Sequence, residues 1–456
     1  MAYEVQGTVE AVWRIECGRI TAAVARIVQN LSLADAIAQQ ALQAAMGCWS
    51  NETVPENPGL WLMSVAKGLA TEQLQTAEHY GRGGSPRLTS TDAVDAADTD
   101  DDLLRLIFTI CQPALSSDAQ ITLVLKILSG LPTHDIARIY ALPEAAVEEQ
   151  IALAKGTLAR TPIPFALPQE SERTARLTSV LEMISTLFNE GHAVVNKLGP
   201  LKSELSEEAL RLARILSQLL PEEPETHGLQ ALLEFQTSRL RARTDTAGRP
   251  LLPIDQNPAR CDRLLTGRGL AALSQARALG KPLGPYALQA AIAACHARVE
   301  TATMVTWLSI TGLYENLIQY TQCPLVQLNH AFAISEIHGP ASAMPLIEAL
   351  QQHPAMSKHS MLHAVRGDLL ARLGRMTEAR DAFELAIALA SSQRDRDLLQ
   401  NRIDDLIAEE RSHSLKAKVI AMLNEKALLR SGSTLKATED HRGPCQKSPL
   451  TTLKPP

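Results

Sequence analysis

From "GTVEAVWRIECGRITAAVARIVQN" at residues 7–30 to "RMTEARDAFELAIALA" at 375–390, apolar residues recur at helical spacing, not in alternation. In the first stretch Val9, Val12, Trp13, Ile15, Ile20, Val24 and Ile27 share one face. A chain patterned this way throughout folds as helices. Its composition agrees, with 45% apolar residues, only 4% aromatic, and Ala and Leu far commoner than the β-branched types. The expected fold class is all-α.

The punctuation divides the chain. "SLADAIAQQALQAAMGCW" opens with Ser32 as a helix cap, and "PENPGLWLMSVAKGLATEQLQTAEHY" opens on a Pro-Gly turn, so residues 7–80 read as a three-helix domain. Residues 81–102, "GRGGSPRLTSTDAVDAADTDDD", read as a flexible acidic linker with solvated carboxylates. A second domain over 103–160 ends in "LPTHDIARIYALPEAAVEEQIALAKGTLAR", a short helix, a turn and a longer helix. Pro162, Pro164 and Pro168 mark its end.

Residues 170–410 read as an array of amphipathic helix pairs. In "HAVRGDLLARLGRMTEARDAFELAIALASS", Gly367, Leu370, Gly374, Ala379, Phe383 and Ala386 stand where a tetratricopeptide repeat interlocks two antiparallel helices. Residues 414–456 are basic and rich in Pro, Ser and Thr, and read as a mostly disordered tail.

Charge restricts the partners. The formal net charge of −6 is unevenly spread: residues 1–160 carry 11 Lys and Arg against 19 Asp and Glu, a net of −8. Such a segment is a poor general polyanion binder. No run of 18 apolar residues occurs, so no membrane span is expected, and the N-terminus lacks the pattern of a secretion signal. Seven scattered cysteines without a C-x-x-C pair read as reduced core thiols of a cytoplasmic protein.

Catalytic and metal motifs are weak. His359 and His363 are four apart, without the acid of a zinc helix. "RGD" at 366–368 falls inside a repeat helix, "GRGGSP" lacks the Lys of a phosphate loop, and "HGP" at 338–340 reads as a helix-ending turn. "LFNEGH" places Glu190 near His192 with no nucleophile beside them. No enzyme activity, metal or cofactor is expected.

The order of these parts, with "VPENPGLWLMSVAK", "DDLLRLIFTICQPALS", "LPTHDIARIYALPEAAV", "LFNEGH", "PEEPETHGLQALLEFQTSRLRAR" and "GPYALQAAIAACHAR", resembles extracytoplasmic-function RNA polymerase sigma factors with a long C-terminal tetratricopeptide-like extension. The resemblance spans about residues 9–400. It implies a sigma region 2 three-helix domain, a region 4 helix-turn-helix domain, and binding of core RNA polymerase and promoter DNA. By resemblance Asp35, Gln39 and Gln40 face core polymerase, Lys67, Thr71 and Gln75 lie on the −10 helix, and Ala146, Gln150, Lys155 and Thr157 on the −35 helix. The extension would regulate the two domains and bind a protein partner.

Two departures bear on DNA. "AKGLATEQLQTAEHY" offers Lys67 alone where the family has several bases, and the −35 helix carries Glu144, Glu148 and Glu149 before its first lysine. A second reading is therefore a sigma-like protein that no longer reads promoters and acts as a protein-interaction scaffold. Locally, the helix-turn-helix would then be a hairpin that merely packs, and Asp35, Gln39, Gln40 and Lys67 a solvated surface.

Overall fold

The computed structural model describes residues 2–49, 54–80, 96–140, 142–160, 165, 168, 170–193, 203–242, 258–298, 304–390, 393 and 396–407. It is all-α, as expected, with no strand among the described residues. The chain divides into two compact units, the first holding residues 1–247 and 255–321, the second 248–254 and 322–456.

The first unit opens with α1 (Ala2–Val28), α2 (Leu31–Cys48) and α3 (Pro58–Tyr80). Val9, Trp13, Ile20 and Val24 of α1 bury against Ile37, Ala38 and Ala41 of α2 and Leu62, Ala66 and Ala70 of α3. The runs of Ala permit close helix approach. Ile15, expected on the apolar face, is 63% exposed. The cap of α2 is Asn30, whose side chain accepts from Leu33 N at 3.0 Å, and not Ser32. Gln29, at φ 53, breaks the chain sharply enough to start the helix two residues early.

Next come α4 (Ala96–Ile110), α5 (Ser117–Leu123), a π-helical turn Val124–Leu128, α6 (Thr133–Tyr140) and α7 (Glu144–Arg160). The expected acidic linker is shorter than its composition implied. Residues 96–102 belong to α4, and 81–95 lie outside the described residues. The reason is charge pairing with α1: Arg19 meets Asp100 at 3.2 Å, and Arg26 meets Asp102 at 3.2 Å. Asp102, 1% exposed, also takes Arg105 at 2.8 Å.

The expected single array over 170–410 is also corrected. Helices α8 (Glu170–Ala193), α9 (Ser203–Leu219), α10 (Pro224–Ser238), α11 (Arg263–Ala278), α12 (Pro285–Arg298) and α13 (Met304–Tyr320) belong to the first unit. Leu177, Val180, Ile184 and Phe188 of α8 and Leu205, Leu212 and Leu216 of α9 share one core with Leu106, Ile121, Leu125, Ile136 and Ile151. A segment of about 60 residues is marginal as a core of its own. The extension completes it.

The second unit contains α14 (Pro324–His338), α15 (Pro340–Gln351), α16 (Ser360–Arg372) and α17 (Met376–Leu389). Gly339, at φ 83, forms the expected turn between α14 and α15. The repeat pattern is realised in α16 and α17. A Cβ on Gly367 would lie 2.9 Å from the Phe383 ring, so the two helices touch there, and Leu370, Ala379, Phe383 and Ala386 are buried. "RGD" lies within α16, where Asp368 pairs with Arg402 at 3.0 Å. The 414–456 tail lies outside the described residues.

Candidate functional site

α2 meets α7 inside the first unit. Ala34, Ile37, Ala38, Ala41 and Ala45 turn α2 toward the three-helix core, leaving Asp35 on the flank toward α7. There Lys155 Nζ donates to Asp35 Oδ2 at 2.5 Å, with the two side chains 14% and 10% exposed. The family resemblance puts these residues on two separate surfaces, one facing polymerase and one facing DNA. The structure brings them together. A buried charge needs a partner, and each is the other's.

The remaining candidates are distributed by helical geometry. On α7, Val147, Ile151, Ala154 and Leu158 form the buried stripe. At about 100° per residue, Ala146, Gln150 and Thr157 fall within about 40° of one another, while Lys155 lies about 160° away on the opposite flank. The four expected −35 positions are thus not one surface. Glu144, Glu148 and Glu149 are exposed, and so is Leu153. On α3, Lys67, Thr71 and Gln75 sit at i, i+4 and i+8 and form one stripe, with Thr71 Oγ1 donating to Lys67 O at 2.9 Å. On α2, Gln39 is half-buried one turn after Asp35, and Gln40 is exposed.

A second junction, absent from the sequence reading, surrounds residues 128–130. The π-helical turn ends with Ser129 N donating to Val124 O at 3.1 Å, a widened loop that aims Leu128 O outward. Cys17 Sγ donates to that oxygen at 3.4 Å and Arg211 Nη2 at 3.1 Å. Ser129 Oγ donates to Glu208 Oε1 at 2.6 Å, and Glu208 in turn binds Arg211. Gly130, at φ 63, lets Trp13 lie so close that a Cβ would be 2.8 Å from its ring. One turn thus ties α1, α9 and the approach to the helix-turn-helix. Burial pushes the Cys17 thiol up to about 12, so it remains a neutral S–H donor and not a nucleophile.

Two further contacts involve the extension, one to the helix-turn-helix and one within the extension itself. Tyr140, at the end of α6, donates to Glu190 Oε2 at 2.8 Å, and burial followed by the Glu190 charge raises its phenol pKa. Glu190 of "LFNEGH" therefore anchors α8 to the helix-turn-helix. The side chain of His192 lies outside the described residues.

The other contact is a cap. Glu225, in the first turn of α10, accepts from Tyr286 N at 2.8 Å and Ala287 N at 3.1 Å, capping α12. Burial raises the Glu225 pKa, opposed by those amides. The folded chain therefore holds this proton to higher pH than the unfolded chain. The resulting stabilisation is complete below the ordinary glutamate pKa and lost as pH rises through the folded value. Urea midpoints across the acid range should show that decline in the native protein, and a smaller one in Glu225→Gln.

The remaining candidate groups are structural. His359 Nδ1 accepts from Met361 N at 3.3 Å as a helix cap, and buried His363 bonds Ser357 O at 2.9 Å. Among the described residues no three His, Cys, Asp or Glu side chains converge as metal ligands. Of the cysteines expected in cores, Cys17 and Cys111 are buried and Cys48 is exposed.

The chain is thus an all-α protein with a tetratricopeptide repeat-like domain, matched over residues 344–408. An uncharacterized protein of Rhizobium meliloti (strain 1021) is 38% identical over 396 residues, covering 85% of this chain and 93% of that protein, and this chain belongs to its family. Residues 176–277, which run from α8 to α11, match a family of unknown function (DUF6596). No solved structure matches the chain. Among the described residues no helix is long and apolar enough to cross a membrane.

Proposed function

We propose that the chain is a cytoplasmic transcription initiation factor. It binds core RNA polymerase through α1–α3, reads promoter DNA through α6 and α7, and is regulated by its own extension. The observation that carries this reading is the pairing of a helix-turn-helix, α6 and α7 joined across residues 141–143, with a three-helix unit whose α3 presents Lys67, Thr71 and Gln75 as one stripe. What supports regulation by the extension is its contact with the rest of the unit: Glu190 of α8 meets Tyr140 of α6, and Arg211 of α9 meets Leu128 O.

The first test is retention of core polymerase. Tagged full-length protein should retain it, and a tagged fragment 322–456 should not. If neither does, the polymerase assignment fails.

The shared core dictates where the chain can be cut. Removing everything after residue 165 strips Leu177, Val180, Leu181, Ile184, Leu187 and Phe188 from that core. At about 2 kcal/mol for each buried side chain, the loss equals a whole domain's stability of ~5–15 kcal/mol, so this fragment should be insoluble. Truncation after residue 321 leaves the first unit whole. It should change promoter output if the repeat unit regulates, and unchanged output would remove that role.

The scaffold reading is favoured by one observation. The open face of α7 carries Glu144, Glu148 and Glu149, while Lys155 is engaged by Asp35. Footprinting with polymerase present separates the two readings, since a scaffold protects no promoter.

A further inference from the structure

Between α5, α8 and α12 lies a cleft of about 400 Å³, within the ~300–1,000 Å³ of small-molecule sites. Several of its polar groups present only lone pairs, while Ser117, Ser185 and the Tyr286 hydroxyl also line it. Ser179 Oγ donates to Ala175 O at 3.3 Å, and Thr186 Oγ1 donates to Glu182 O at 2.8 Å. Each hydroxyl has committed its one proton to the helix and offers lone pairs. Gln120 uses its amide nitrogen on the carbonyls of Gln112 at 2.7 Å and Leu115 at 3.3 Å, leaving its oxygen as the acceptor.

Glu182 stands with Ser179 and Thr186 at i, i+3 and i+7 on one face of α8. It is exposed, and no described residue gives its carboxylate a hydrogen bond or an ion pair. Tyr286 closes the far side, its hydroxyl hydrogen-bonded with Ser185. Burial and the Glu182 charge push that phenol up to about 12, so it stays neutral. Among the described residues no Lys or Arg lines the cleft.

An anion would meet lone pairs and a carboxylate here, and a neutral acceptor would find few donors. We propose that this cleft binds an organic cation bearing several N–H donors, an amine or a guanidinium compound, with Glu182 as counter-ion and Ser179, Thr186 and Gln120 as acceptors. Charge-assisted N–H bonds to a carboxylate are the strong ones, and the Tyr286 ring adds an aromatic neighbour for the cation. The three walls come from the helix that supports α7 and from two helices of the extension. An occupied cleft ties these together.

The test is calorimetric titration of the full-length protein with putrescine, spermidine and agmatine in separate arms, and with calcium chloride as a fourth. At least one organic cation should bind with a Kd of about 10–500 μM, and the arms separate amine from guanidinium recognition. Glu182→Gln, an exposed change, should weaken binding about tenfold or more. Glu207→Gln, exposed on α9, should leave it unchanged. No binding of any organic cation up to about 10 mM, equal binding by Glu182→Gln, or binding of calcium alone each overturns the assignment.

Discussion

Gly228→Ala is expected to lower the stability of the first unit by about 3 kcal/mol, read as a fall in urea midpoint at unchanged slope. Helix propensity alone predicts the opposite sign, since Ala exceeds Gly by about 1 kcal/mol in a helix interior. The close contact decides. A Cβ on Gly228 would lie 2.5 Å from Ala287 N and 2.7 Å from Ala287 Cα. Those atoms are backbone at the start of α12, fixed by the two Glu225 hydrogen bonds. Moving α12 away would open the cap, so neither side yields cheaply. Gly269→Ala supplies the comparison, because its Cβ would meet the Phe235 ring at 2.9 Å, and a ring can tilt. Gly269→Ala should therefore cost less. A Gly228→Ala protein as stable as the native one would mean that α10 and α12 do not cross this closely.

The repeat was readable in the sequence because everything it needs is local. Gly367 and Phe383 lie 16 residues apart, and the pairing of α16 with α17 follows from spacing and the break at Gly374, where φ is 78. The three-helix domain was readable for the same reason. Its contacts are set by periodicity within each helix and by short connections. The acidic stretch was misread because composition records charge and not partners. Asp100 and Asp102 lie more than 70 residues from Arg19 and Arg26, and only the fold brings these residues together. The boundary of the first unit was misplaced on similar grounds. α8 carries an ordinary amphipathic stripe, and nothing in a stripe says whether it faces a repeat neighbour or α4 and α5.

Part of the site is legible in the sequence. Counting about 100° per residue along α7 already separates Lys155 from Ala146, Gln150 and Thr157. Glu225 and the Pro285 that opens α12 both lie in stretches that carry the family resemblance, "PEEPETHGLQ" and "GPYALQAA", yet an acid aimed at a distant helix start has no local signature. The hub at Leu128 was beyond sequence reasoning. It depends on a π-helical turn, a buried thiol from α1 and a guanidinium from α9 converging on one carbonyl oxygen.

Separating Asp35 from Lys155 is expected to cost about 3 kcal/mol with either partner removed alone, because each change leaves an uncompensated charge in a site from which water is largely excluded. The double variant Asp35→Leu with Lys155→Met should recover most of that loss, so the double-mutant cycle should give a coupling larger than the cost of either single change. Exposures of 14% and 10% place the pair between a surface contact worth ~0–1 kcal/mol and a deeply buried one. Coupling near zero would make the contact incidental.

The same variants test function. Asp35 is both the anchor that holds α2 on α7 and a proposed polymerase contact, so its removal mixes two effects. Lys155→Met releases the anchor and keeps the carboxylate. If the pair holds the chain closed, Lys155→Met should retain more core polymerase than the native protein, while Asp35→Leu should not. Equal retention by all three proteins would leave the pair as a stabilising contact with no part in opening.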